Sequence, residues 1–462
     1  MGSLQVTRKI LIPIYNGTYF ANSLKLGKAI KLNSDFDVFF FFGREYPDVL
    51  DHIEQLGDDF KYFLQGKVIL EQVRPVSAES ISNMKSGKTH FVSLLDLLLR
   101  FPFIKLCLDF YFAIRDWRRL KKSISFIHLS ENVQAYLLPA DNRYQFAQIV
   151  KLAHSFSAPA ILAPHWFAGA REVEESFSQS TLHRPTRWQI VLLSIIAPSF
   201  LRRIKTGDSS FLMIPIPVHD IFLSLILRTV PDKPWVLHSG FSDLILVETE
   251  STLKYARSLG FEPFQLQLTG SVILDEIDEV RFHSRRDLRL VVAIAPDMFA
   301  SRPHIKIPFP NYMEYLVYIC KTLKRYGFQD AVLSMHPSDQ GDYDELLLSH
   351  GFIPSSEPIH CLLARTHFFI ATISATIQWA DFAGVKTLNY DFFQYHYPDY
   401  AEYDSVHTVL NNDQFEEGLQ KFQELSGPES MDLLIQANAK RFDSRKCIDR
   451  IIEAILLQFR RE

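Results

Sequence analysis

Short, unbroken apolar runs alternate along this chain with longer stretches whose apolar residues recur every three or four positions. The unbroken runs read as strands covered on both faces, and the periodic stretches as helices with one buried side. In the first half the run "KILIPIY" predicts a strand, "NGT" a loop, and the pattern through Leu32 a helix; "FDVFFFFG" predicts the next strand. Further strands are expected at 124–130 ("ISFIHLS"), 159–164 ("PAILAP") and 243–250 ("DLILVETE"), with "DNRYQFAQIVKLAHSF" helical between the first two. The pattern pauses at "QLQLTGSVILDEI" and then restarts. Strand "LRLVVAIAP" (288–296), helix "NYMEYLVYICKTLKRYG", strand "AVLSMHP", helix "DYDELLLSHG", strand "THFFIAT", helix "SATIQWADFAG" and strand "VKTLNYD" follow in order. The last stretch, "ANAKRFDSRKCIDRIIEAILLQFRRE", reads as one long amphipathic helix.

Strands alternating with helices imply doubly wound α/β domains, and 462 residues are too many for one core. The expected fold class is therefore α/β with two Rossmann-like domains facing a cleft. The first spans 1–278 and carries apolar, basic insertions; the second spans 279–438; a helix over 439–462 closes the chain. Ligands of such domains bind beyond the carboxyl ends of the strands, so the loops after strands are the places to seek chemistry.

Composition narrows the function classes. The chain is 47% hydrophobic and 22% charged, as folded proteins are, and its net charge of −4 gives no global reason to expect nucleic acid. Cys107, Cys320, Cys361 and Cys447 are scattered, with no CxxC or Cys/His cluster, which argues against a disulfide framework or zinc site and for a cytoplasmic protein with reduced thiols. The first apolar run is too short for a signal peptide, and no stretch is apolar for the ~20 residues a spanning helix needs. Two segments come near: 91–122, Leu/Phe-rich and ending in cations from Arg115 to Lys122, and 187–207, ending in Arg202, Arg203 and Lys205. They read either as core helices whose basic ends complement the helix dipole, or as a peripheral contact with an anionic membrane on its cytoplasmic face.

Candidate chemistry lies at two strand ends of the second half. His336 and Pro337 follow "AVLSM"; proline stops the strand and stiffens the turn, which either presents the imidazole to an anion or simply ends the strand. Ser374, Ala375 and Thr376 open a helix after "FFIAT", where hydroxyls cap the helix and free amides suit phosphate. Asp381 lies two turns further along the same face, where a carboxylate suits ribose hydroxyls. There is no GxGxxG or GxxxxGK[ST] run, which disfavours a standard dinucleotide site or P-loop.

With these residues the chain resembles two-domain glycosyltransferases of the GT-B fold, in the neighbourhood of bacterial surface-polysaccharide enzymes. These include the CMP-sugar sialyl- and polysialyltransferases and the teichoic-acid glycerophosphotransferases. The resemblance rests on "LVETESTLKYARSLGFEPFQLQLTGSVILDEI", on "MHP" at 335–337, on "ISATIQWADFAGVKTLNYD", and on the final helix. It covers the chain from about residue 240 onward with some specificity and the rest by architecture alone. It implies that His336 and Pro337 meet the donor nucleotide, that Ser374 and Thr376 hold donor phosphate while Asp381 meets the ribose, and that the last helix crosses back to the first domain. The D/E-D/E-G motif of sialyltransferases is missing from the N-terminal half, so no general base carries over.

A base must remove the acceptor's hydroxyl proton as the nucleotide departs. The best stretch for it is 158–177, where His165 follows a strand end and Glu172 opens a helix; an incidental histidine and a dipole-complementing acid are the plainer alternative. Asp141 is a further candidate. Asn16, Gly17 and Thr18 follow the first strand and suit an acceptor or phosphate loop, and Arg302 or Lys306 suits the leaving phosphate. The aromatic run over 390–403 either stacks on a base or sugar or packs the domain. The expected activity is metal-independent, needs no cofactor, the nucleotide-sugar being a substrate, and is inverting: transfer from a nucleotide-activated donor, CMP-sugar favoured, to a surface glycan or lipid-linked acceptor. A CDP-glycerol or CDP-ribitol phosphotransferase, a non-hydrolysing UDP-GlcNAc 2-epimerase and a non-catalytic nucleotide-sugar-binding subunit are the rivals.

Overall fold

The computed structural model describes residues 8–15, 17–43, 49–65, 102–141, 144–164, 174, 183–206, 209–236, 238, 241–283, 286–297, 307–336, 339, 343–397, 400–401, 403–427 and 445–459. The chain divides into two compact units, Met1–Ala163 with Leu182–Ile245, and Pro164–Thr181 with Leu246–Glu462.

Nine strands come first in the chain: β1 (Arg8–Ile14), β2 (Phe36–Phe42), β3 (Lys61–Leu64), β4 (Ala135–Leu138), β5 (Ala160–Leu162), β6 (Arg202–Thr206), β7 (Ser209–Met213), β8 (Leu244–Val247) and β9 (Leu266–Leu268). Seven of them form a sheet in the order β3-β2-β1-β4-β5-β8-β9, and its pairs from β3 to β8 run parallel. The Phe-rich β2 is buried on both faces, with Phe40, Phe41 and Phe42 fully enclosed, as a parallel sheet under helices requires. The helix Gly17–Asn33 lies close on it because Gly27 has no side chain; a Cβ there would stand 2.9 Å from Phe40 Cζ.

The second sheet holds β10 (Leu288–Ala293), β11 (Val332–Ser334), β12 (Thr366–Ala371), β13 (Lys386–Tyr390) and β14 (Val406–Val409) in the order β11-β10-β12-β13-β14, all pairs parallel. The chain steps from β10 to one neighbour and then crosses to the other side for β12. The strand order therefore reverses between β10 and β12, as it does between β1 and β4 in the first sheet. This is the α/β, twice-repeated Rossmann-like architecture expected from the alternating pattern.

Two readings of the apolar segments change. The run at 124–130 is helical, inside the 30-residue helix Pro102–Glu131. Leu120, Ile124 and Ile127 are buried while Phe126 and Leu129 are 50% and 76% exposed, which is a helical rather than a two-residue period. The cations Arg115 to Lys122 consequently sit in mid-helix, not at a helix end. In 187–207 the helix stops at Ile196, Pro198 opens a short turn, and Arg202 and Arg203 lie on β6 of the antiparallel β6–β7 hairpin. A helix-dipole role explains neither cation group.

The final stretch forms the helix Cys447–Gln458; residues 428–444 lie outside the described set. Asp275 accepts the first amides of this helix, Cys447 N–H at 2.6 Å and Ile448 N–H at 2.9 Å, and Arg450 Nε donates to the Thr269 carbonyl. Between those anchors Gly270 adopts φ +76°, and a Cβ there would fall 2.2 Å from Cys447 Sγ. The "LTGSVILDEI" stretch is thus the seat of the last helix.

Candidate functional site

Four parallel strands, β11, β10, β12 and β13, bring their carboxyl ends to one edge of the second sheet, and the loops that leave them are tied together. After β10, Tyr312 donates to the Ala295 carbonyl at 2.6 Å, and Tyr343 donates to Asp297 Oδ2 at 2.9 Å. After β11, the Asp339 amide donates to the His336 carbonyl, and Asp339 Oδ2 accepts the Asp297 amide at 2.8 Å. The loops after β10 and β11 are therefore one hydrogen-bonded piece. His336 stands exposed on it. Protein atoms on the inner side of its ring lower its pKa more than the Asp339 carboxylate raises it, so at neutral pH it offers one donor and one acceptor rather than a charge.

Across the reversal point, the loop after β12 turns sharply. Ile373, a β-branched residue, has φ +43° in the left-handed region, and its amide donates to Asn389 Oδ1 at 3.0 Å. Asn389 is buried on β13 and also donates to Thr408 Oγ1. Ser374 follows: its Oγ accepts from the Thr376 amide and lies 2.8 Å from Thr376 Oγ1, and its carbonyl accepts the Tyr400 hydroxyl at 3.3 Å. Of the pair expected to cap the helix or meet phosphate, Ser374 Oγ takes only the Thr376 amide; the N-cap position of the helix Thr376–Phe382 is Ala375, and no side chain caps it. Tyr315 is enclosed between the β10 and β12 loops, where burial raises its pKa to about 12 against hydrogen bonds from the Ala295 backbone and the Thr372 side chain.

After β13, Asp391 is 1% exposed and accepts the Tyr395 amide at 2.9 Å and the His396 amide at 2.7 Å. Those bonds hold Gln394 and His396 at φ +55° and +51°. Phe393, Tyr395, Tyr397 and Tyr400 stack in succession toward Ser374. All four are buried, so the aromatic run packs this edge.

Seven described non-glycine residues have left-handed φ. Asn132, Ser157 and Arg228 follow helices, where that conformation is an ordinary C-terminal cap. Of the other four, Ile373, Gln394 and His396 all lie on this one edge. Non-glycine strain away from helix ends concentrates at working sites.

The fourth is His238, in the loop that precedes β8 of the other sheet. Asp141, fully buried after β4, accepts at Oδ2 from the Phe241 and Ser242 amides and the Ser242 hydroxyl. Its Oδ1 lies 3.9 Å from Nδ1 of the 2%-exposed His238. Asp141 thus anchors the turn before β8, and any proton it accepted would compete with those bonds.

Asp381 is not brought to the candidate edge. Its carboxylate accepts the Ser405 hydroxyl, and Ser405 precedes β14, so the contact lies at the amino edge of the sheet. The helix Thr376–Phe382 starts at one edge and ends at the other, which separates Ser374 from Asp381. Gly17 and Thr18 open the helix Gly17–Asn33, with side chains outside the described set; Asn16, His165, Glu172, Arg302, Lys306 and Pro337 are outside it altogether. Sequence reasoning missed His238, Ile373, Asn389 and Asp391. Only Asp391 left a usable signal, an acid directly after an apolar strand. Among the described residues no group of His, Cys, Asp and Glu has a metal-site arrangement, and no helix is long and apolar enough to cross a membrane.

Two Rossmann-like units with carboxyl-edge loops at each reversal point define the GT-B class of fold. No protein-family model matches the chain, and no curated protein matches it in sequence. Solved structures do. A Listeria monocytogenes protein assigned as a UDP-N-acetylglucosamine 2-epimerase is 12% identical, with 99% of this chain and 98% of that one covered and a TM-score of 0.52. The glycotransferase of kitacinnamycin is 11% identical over 97% and 98% of the two chains, TM-score 0.52. Phytolacca americana UGT2, solved with UDP-2-fluoro-glucose and pterostilbene, is 11% identical over 98% and 99%, TM-score 0.51. At these identities the likeness is one of fold.

Proposed function

We propose that this protein is a nucleotide-sugar-dependent glycosyltransferase, acting without a metal on a surface glycan or lipid-linked acceptor. The acceptor hydroxyl oxygen attacks the anomeric carbon, the anomeric C–O bond to phosphate breaks, and the nucleotide leaves with that electron pair. A base takes the hydroxyl proton; His165, Glu172 and Asp141 are its candidates. What supports this reading is the carboxyl edge of the second sheet, where the strained Ile373 turn sets Ser374 and Thr376 across the reversal point from His336. In it, His336 and Pro337 contact the nucleotide, Ser374 and Thr376 the phosphate, and Arg302 neutralises the leaving group. Asp381 keeps a supporting role, since its partner lies at the opposite edge. The His-Pro element favours a CMP-sugar.

A second reading is favoured by the fold neighbours. One was solved with UDP-2-fluoro-glucose and another is assigned as a UDP-GlcNAc 2-epimerase, so a UDP-sugar and an acceptor-free epimerisation form the main rival. Thermal stabilisation by CMP, CDP, UDP and GDP separates these, because a ligand that binds only the folded state raises its melting temperature. Selective stabilisation by CMP is expected. A UDP preference, with turnover of UDP-GlcNAc in the absence of acceptor, would replace this reading with the rival; a CDP preference would point to polyol-phosphate transfer. His336→Ala should weaken binding of the stabilising nucleotide about tenfold, the worth of one good hydrogen bond, and leave the unliganded melt unchanged because the residue is exposed. A large loss of unliganded stability would show that His336 serves the turn alone.

A further inference from the structure

The helix Arg187–Ile196 presents opposite faces to opposite surroundings. Leu193 is fully buried against Phe200, Ile214, Val218 and Ile221, while Val191 and Ile195 are 63% and 75% exposed and Ile196 39%. Trp188, half-buried, stands one turn before Val191 and Leu192 on the outward side. Val191 and Ile195 are four residues apart, so they form one stripe along the helix. At ten residues this helix cannot span a bilayer. An apolar stripe this exposed fits an occupant that accepts hydrocarbon.

Charge decides which occupant. From Arg184 to Met213, the end of the hairpin, the chain carries the five cations Arg184, Arg187, Arg202, Arg203 and Lys205 against a single acid, Asp208. Arg184, Arg187, Arg202 and Arg203 are exposed. Arg202 pairs with Met213, the next residue Ile214 donates its amide to the His183 carbonyl, and Arg184 lies over the Phe211 ring, so the hairpin lies beside the start of the helix and the cations gather at that end of the stripe. A second copy of the chain would set five cations against five like charges. An anionic phospholipid surface supplies the opposite charge at its headgroups and hydrocarbon beneath them. We propose that the helix Arg187–Ile196, with the β6–β7 hairpin, is a docking site for such a surface, Trp188, Val191 and Ile195 entering the acyl boundary and Arg187 and Arg203 lying over the headgroups. The neighbouring helices continue the apolar character: Ala113 packs on Leu223, and beside that contact Phe112 is 41% exposed with Arg115 over its ring, while Ile226 is 61% exposed. Nothing in this docking depends on the glycosyl-transfer reading, although it would bring a lipid-linked acceptor within reach.

The test is sedimentation of the full chain with mixed phosphatidylglycerol–phosphatidylcholine vesicles and with phosphatidylcholine alone. The chain should bind the mixed vesicles and not the neutral ones. A cation near an anionic surface contributes about fivefold in partitioning, so Arg187→Ser with Arg203→Ser should lower binding by roughly 25-fold. Val191→Ser with Ile195→Ser, both at exposed positions, should lower it by more than about tenfold. Brominated acyl chains should quench tryptophan fluorescence in the wild type and much less in Trp188→Phe. Absence of vesicle binding, or binding unchanged in both double variants, would overturn the proposal; so would a concentration-dependent dimer abolished by Val191→Ser with Ile195→Ser in place of vesicle binding. Stabilisation by nucleotide, measured on the same variants without vesicles, should match the wild type, which keeps the fate of the donor-site reading separate.

Discussion

Asp391 gives a test in which the sign of a pH effect decides between two forces. Burial disfavours its ionised form, while the Tyr395 and His396 amides favour it; burial prevails and raises the pKa from 3.8 to about 7. The native chain therefore holds this proton over a range in which the unfolded chain has lost it. Stability from this group is fully present below the unfolded value near pH 4 and is lost as pH rises through about 7. A shift of about three units corresponds to roughly 4 kcal/mol in all, of which about 2–3 kcal/mol falls between pH 5 and pH 8. Asp391→Asn cannot ionise. It keeps an acceptor for one of the two amides and loses the other bond, a cost of about 1–3 kcal/mol that is the same at both pH values. Hydrogen exchange of the buried β12 and β13 amides reads the opening free energy of this sheet alone. The wild type should lose about 2–3 kcal/mol more than Asp391→Asn on going from pH 5 to pH 8, both measured in a His396→Asn background so that the imidazole interacting with Asp391 does not enter, and more distant titrating groups cancel in the difference. An equal loss in the two proteins would mean that Asp391 stays ionised throughout, and that the two amides outweigh burial.

Gly270→Ala should be strongly destabilising, by about 3 kcal/mol or more, since it combines a left-handed φ with a Cβ driven into Cys447 Sγ; urea unfolding of the variant checks it, and a change below about 1 kcal/mol would show that the last helix shifts freely. Glu248 is half-buried, and desolvation raises its pKa to about 6 against a hydrogen bond from Trp379. Its contribution likewise falls as pH rises from about 4.5 through 6, so Glu248→Gln, which keeps an acceptor oxygen, should gain about 2 kcal/mol on the wild type between pH 4 and pH 8, read by hydrogen exchange of the amides of β8, the strand it follows.

The strands were legible because parallel sheets under helices demand unbroken apolar runs, and β1, β2, β5, β8 and β10 to β12 all carry them, while β13 (Lys386–Tyr390) alternates apolar with polar residues. The run at 124–130 misled for the same reason. Six apolar or small residues in seven satisfy either period over so short a window, and only the burial of Leu120, Ile124 and Ile127 discriminates. The candidate edge was half legible. Ser374 and Thr376 announce a helix start by residue type, but nothing local in the sequence marks Ile373 for a left-handed turn. That conformation is imposed by Asn389, sixteen residues away on the next strand. Asp381 was placed correctly on its helix and wrongly in its surroundings, since helical spacing fixes a face and not the edge of the sheet that the face reaches.

The two edges of the second sheet divide labour, and the division follows from strand direction. At the amino edge lie ties that hold elements in place: Asp381 with the Ser405 hydroxyl, the Ser405 carbonyl with the Thr387 amide, and Arg286 with the carbonyls of Ala383 and Gly384. Each joins the end of one element to the start of the next, and none needs left-handed backbone outside glycine. At the carboxyl edge the loops are instead bent into Ile373, Gln394 and His396, each costing of order 1–3 kcal/mol. The buried Asn389 and Asp391, which hold those bends, are themselves costly polar groups to enclose. A fold serving stability alone would have no cause to gather strain and buried polar groups at the strand ends where α/β sheets bind ligands. Substitutions at Asp381 should accordingly act on stability, and those at His336 on ligand affinity, so the two edges are separable by experiment even before the ligand is known.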